Sequence, residues 1–192
     1  MKRLILLGTA LFGLIAARDA AAQGFISPFV GTTLTSPTST GSATKPGFGV
    51  SLGALGGFIG GETEIAYYPE VIDNSANGLS KNQVLSFSGG LLIGPKIGGV
   101  KPYFALGAGD LHLNVTKLAS LVQPTPATIS NDYFTFNLGG GVAAMVSGHF
   151  GVRGDLRYFR AFGIKVEDLQ GAGLALDHFN FWRAAGGVVI AF

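Results

Sequence analysis

The stretch that most restricts what this chain can fold into is its last one, HFNFWRAAGGVVIAF, from His178 to Phe192. Read with a strand's period of two, Trp182, Val188, Ile190 and Phe192 share one face, while Arg183, Ala185 and Gly187 share the other. One face is oily up to the final residue; the other sets a guanidinium among small side chains. A strand that turns its oily face to lipid and its other face to a crowded polar interior accommodates both features. A soluble sandwich would need a later element to cover the oily face, and none follows Phe192 in this sequence. The expectation is a membrane-embedded β-barrel, with the closing strand of a soluble sandwich as the alternative.

The other end reads as a leader. Met1-Lys2-Arg3 precedes an apolar run from Leu4 to Ala17, and Ala20-Ala21-Ala22-Gln23 offers the small residues of a cleavage site. The run is short for a spanning helix and no stop-transfer pattern follows it. Residues 1–22 are therefore expected to be a signal peptide and residues 23–192 the folded domain. Without the leader the chain carries ten basic and ten acidic side chains. That balance gives no reason to expect nucleic acid as a partner. There is no cysteine, hence no disulfide framework and no thiolate metal site.

Charged residues make up only 12% of the chain, against about 25% in a typical soluble domain. Yet no later segment is long and apolar enough to span as a helix. For a hydrophobic exported chain, the remaining way to satisfy backbone N–H and C=O groups in lipid is a closed sheet.

Strand patterns recur along the chain: 25–34, 47–57, 61–70, 82–94, 101–115, 132–146, 150–159 and 178–192. Between them long polar connections alternate with short ones. The long ones are Thr35–Pro46, Glu70–Ser80, Thr116–Asn131 and Arg160–Asp177, the last with the composition of a helical turn. An even strand number with long and short connections in alternation is the rhythm of an outer-membrane barrel, with long loops outside and tight turns in the periplasm. The fold expected is all-β: an eight-stranded antiparallel up-and-down transmembrane barrel. Aromatic pairs at Tyr67-Tyr68, Tyr103-Phe104, Tyr133-Phe134 and Tyr158-Phe159 fall near strand ends, where an interfacial girdle would sit.

GVRGDLRYF (Gly151–Phe159), KPYFALGAG (Lys101–Gly109) and the terminal Phe192 together resemble the small outer-membrane β-barrel families related to the OmpA and OmpX barrel domains. The resemblance implies a bacterial outer-membrane protein in contact with lipid and lipopolysaccharide. Its C-terminal strand, through Trp182, Val188, Ile190 and Phe192, would be read by the barrel assembly machinery. The peptidoglycan-binding domain that follows the barrel in full-length OmpA-like proteins has no counterpart in this sequence, so tethering by that route is not expected.

One group of charges falls in the phase opposite to the oily residues: Glu62, Glu64, Asp110, Arg153, Asp155, Arg157 and Arg183. They are expected inside, and because buried charges need partners, as an ion-pair network. A gated solute path lined by the same groups is the alternative. His112, also expected inside, His149 and His178 are too scattered to suggest a metal site or a relay. No G-x-S-x-G elbow or triad pattern is present, and the glycine-rich stretches at 47–53 and 89–96 fail the nucleotide-loop spacings. No catalytic residue and no cofactor is expected. The function expected is non-enzymatic: a monomeric envelope component whose outer loops meet a surface partner. A narrow channel, a lipid-modifying barrel enzyme and a soluble lipocalin-like carrier are the rivals.

Overall fold

The computed structural model describes residues 23–34, 44–69, 79–117, 128–162 and 180–192. They form β1 (Gln23–Thr33), β2 (Lys45–Leu55), β3 (Ile59–Tyr68), β4 (Leu79–Ile93), β5 (Val100–Lys117), β6 (Thr128–Met145), β7 (Phe150–Phe162) and β8 (Asn180–Ala191). Each strand pairs antiparallel with the next and β8 pairs back to β1, closing the barrel anticipated from the strand count. Closure leaves no sheet edge, which is what a sheet in lipid requires.

The tight connections, 56–58, 94–99 and 146–149, lie at one rim together with Gln23 and Phe192. Gly98 takes the left-handed conformation (φ 61°) that closes the β4–β5 turn over the Ile97–Val100 bridge. In the β6–β7 turn the Ser147 hydroxyl accepts from Phe150 N at 3.1 Å. The opposite rim carries the long connections, whose central parts (35–43, 70–78, 118–127 and 163–179) lie outside the described residues, as do residues 1–22 and the anticipated helical turn. The strands run further into these loops than their polar sequence implied: Lys45 and Pro46 belong to β2, and Arg160 to Phe162 to β7.

The two faces divide as a membrane barrel must. Val30 (70% exposed), Val152 (53%), Phe104 (48%) and Val188 (47%) stand on the outer wall, while Arg183 (0%) and Glu64 (2%) are enclosed. The four aromatic pairs split one in, one out: Tyr68, Tyr103, Tyr133 and Phe159 are buried, and Phe104 and Phe134 exposed.

The β1–β8 seam has one flaw. Phe192 N donates to Gly24 O and Leu34 N to Trp182 O, both at 2.9 Å. Even-numbered residues of β1 therefore occupy the doubly bonded positions of this ladder. Pro28, opposite Val188, is one of them and has no N–H to give. Pairing is present on either side, at Ile26–Ile190 and Phe29–Gly187, and lapses at Ser27 and Pro28.

Candidate functional site

The site is a layer of charge across the barrel's middle. Three strands supply it: β3 gives Glu62 and Glu64, β7 gives Arg153, Asp155 and Arg157, and β8 gives Arg183. In each strand these residues lie two apart or stand alone among small ones, so the pleat turns them all inward.

Arg183 forms a two-pronged pair with Glu64, Nη2 meeting Oε2 at 2.9 Å and Nη1 meeting Oε1. It also donates from Nη1 to the Tyr68 hydroxyl at 3.2 Å and lies 3.4 Å from Asp155 Oδ1. Arg157 Nη2 pairs with Glu62 Oε1, and its Nε lies 3.3 Å from Asp155 Oδ1. Arg153 Nη1 sits 2.7 Å from Glu62 Oε2, and its Nε donates to the Tyr103 hydroxyl at 2.7 Å and to Asp155 Oδ2 at 3.1 Å. Three guanidiniums thus face three carboxylates, and the layer is neutral. The forked guanidinium suits this use, since one arginine serves two acceptors at once.

Apolar groups flank the layer on both sides. Toward the short-turn rim lies a cluster of Phe25, Leu92, Tyr103, Ala105, Ala143 and Val189. Toward the long-loop rim, Phe159 and Phe181 stack at 4.9 Å, and Tyr68 meets Phe181 edge-on at 6.0 Å. The Arg183 guanidinium packs on Phe29 and Phe159 at 4.9 and 5.0 Å. The remaining arc, β4 to β6, makes room. At the layer's level its inward positions are Ser86, Ser88, Gly90, Gly107, Gly109, Thr135, Asn137, Gly139 and Gly141. A Cβ on Gly141 would lie 2.5 Å from the Tyr103 hydroxyl and 2.7 Å from Asp155 Cβ.

Asp110 does not join. β5 keeps its pleat unbroken from Lys101 to Leu111, so Lys101, Tyr103, Ala105, Gly107, Gly109 and Leu111 face in. Asp110 faces out, paired in register with the outer-wall residues Phe87 and Phe134. The expectation of an interior Asp110 is corrected, and with it that of an interior His112, which pairs with Asp132 at 2.5 Å on the outer face. The physical reason is depth. Both residues sit near the long-loop end of β5, about 25–30 Å up from its turn at a strand's rise and tilt, where the outer wall meets headgroups rather than acyl chains. His149 lies exposed in the β6–β7 turn, and His178 lies outside the described residues. Among the described residues no group of three His, Asp or Glu side chains could hold a metal.

Tyr103 and Tyr68, members of the network by their hydroxyls, were not singled out from sequence; an aromatic pair at a strand end does not say which ring turns inward. Trp182, Val188, Ile190 and Phe192 all face outward, Trp182 against Tyr158 at 5.3 Å between ring centres.

An oily outer wall, a neutral ionic interior and loops segregated to one rim define a small transmembrane β-barrel. The chain belongs to the outer membrane protein beta-barrel domain family, whose model matches residues 7–181. Among solved structures it is similar to Neisserial surface protein A (15% identity over 88% of this chain and 97% of that one, TM-score 0.61). It is also similar to Ail, the attachment invasion locus protein of Yersinia pestis (15%, 90% and 99%, TM-score 0.57). A third is the N-terminal barrel domain of Pseudomonas aeruginosa OprF (17%, 91% and 100%, TM-score 0.54). At these identities the likeness is one of fold. No curated protein sequence matches the chain significantly. The protein resides in the bacterial outer membrane.

Proposed function

We propose that the protein is a non-enzymatic scaffold: a sealed, monomeric barrel that anchors four outer loops for contact with a surface partner, in a wall bathed by lipid and lipopolysaccharide. The observation that carries this reading is the sealed ionic layer, which leaves the wall and the loops as the working surfaces. In the same reading residues 1–22 are a cleaved leader, and the outward row Trp182, Val188, Ile190 and Phe192 is what the assembly machinery reads.

Loop chemistry narrows the partner. Ail has been seen with the heparin analogue sucrose octasulfate. Here the loops Thr35–Pro46, Glu70–Ser80, Thr116–Asn131 and Arg160–Asp177 carry four cations, Lys45, Lys117, Arg160 and Lys165, against the five carboxylates of Glu70, Asp73, Glu167, Asp168 and Asp177. Loops so nearly balanced lack the cationic excess that draws in a polyanion, which favours a protein surface over a sulfated glycan. The test compares cells carrying the wild type with cells carrying a variant whose four loops are shortened, scoring attachment to protein-coated and to heparin-coated surfaces. Loss of attachment to protein alone, at equal barrel levels in the outer membrane, supports the reading. Equal attachment by both strains contradicts it.

A further inference from the structure

Beneath the apolar cluster, at the short-turn rim, lies a second polar feature unconnected with the ionic layer. Lys101, the second residue of β5, points inward and is only 4% exposed. Its ammonium donates to the carbonyl oxygen of Gly56 in the β2–β3 turn at 2.5 Å, and no carboxylate among the described residues lies within ion-pairing distance. The described carboxylate side chains are all elsewhere: Glu62, Glu64 and Asp155 in the middle layer, Asp110 and Asp132 near the far rim. Lys101 lines a small recess, open to solvent, with Lys96, Gln23, Gly56, Gly99 and Met145.

A buried ammonium satisfied by a single neutral acceptor has two donors to spare, and leaving a charge enclosed without a counter-charge is costly. A second lysine on the same pocket raises the positive potential further. We infer that this pocket binds a compact oxyanion, a carboxylate or a phosphate, presented from the periplasmic side. Lys101 is the buried anchor and Lys96 the exposed arm. The site is independent of the loop function proposed above.

The experiment is a titration of the full-length mature protein in detergent micelles, followed by amide NMR at constant ionic strength, with inorganic phosphate, acetate and chloride as separate probes. Saturable shifts at Gly56, Gly99 and Ala143 with phosphate, acetate or both are expected, and which one saturates first identifies the source chemistry. Lys101→Met should weaken that binding about tenfold or more. Should that variant not fold, Lys96→Gln is expected to weaken it in the same direction. Shifts that chloride reproduces equally, that never saturate, or that survive Lys101→Met unchanged would overturn the assignment.

Discussion

The inner wall of this barrel has two unlike arcs. At the level of the ionic layer β3, β7 and β8 project long charged side chains, and β4 to β6 face them with serine, threonine, glycine and Asn137. Neither arc makes sense alone. Six charges cannot be enclosed in a narrow barrel unless the facing wall recedes, and a wall of small residues would leave voids unless something long reached across. The high glycine content follows from that division of labour. Gly139 and Gly141, inside, meet Arg157 and Asp155 closely, whereas Gly154, outside, would meet nothing nearer than Ala185 O at 3.8 Å if it gained a Cβ.

The largest disturbance to this pairing of arcs is expected from Arg183→Leu. It strips the buried Glu64 of its two-pronged partner, and should cost about 3–5 kcal/mol. Urea unfolding in phospholipid vesicles measures it. The double variant Arg183→Leu with Glu64→Leu should recover a large part of the loss, because no uncompensated charge remains. On the receding arc, Gly141→Ala forces a Cβ to within 2.4 Å of Gly154 O and should cost about 1–3 kcal/mol. Gly154→Ala, on the outer wall, should change stability by less than about 0.5 kcal/mol. Equal effects of the two glycine substitutions would break the distinction between the arcs and the outer wall. The smallest expected effect is at the seam. Pro28→Val supplies the missing donor to Val188 O and should stabilise by about 0.5–1.5 kcal/mol, with slower exchange of the Val188 and Ile190 amides.

The charged arc was legible in the sequence and the receding arc much less so. Glu62, Glu64, Arg153, Asp155, Arg157 and Arg183 each interrupt an oily alternation, so their phase announces an interior. In β5 the signal runs backwards. Its inner face holds Ala105, Gly107, Gly109 and Leu111, with no charge above Lys101, while Asp110 and His112 lie on the outer face because that end of the strand stands at headgroup depth. Polarity in a membrane strand reports depth as well as facing, and a reading by phase alone confuses the two. The seam flaw is not legible in the sequence for another reason. Which of β1's neighbours loses a hydrogen bond to Pro28 depends on ladder parity, and parity is fixed only once register is known. The eight strands and their alternating connections, in contrast, follow from period-two patterning and turn chemistry, which are local properties.

The central claim is that the ionic layer closes the barrel, so that the protein works from its wall and rims rather than through its middle. Single-channel recording of the folded wild type in planar bilayers tests this directly. The account predicts a flat trace with no unitary steps across the ordinary range of applied voltage. Stable, reproducible steps that track the folded species, and whose size changes in Arg157→Leu, would contradict it.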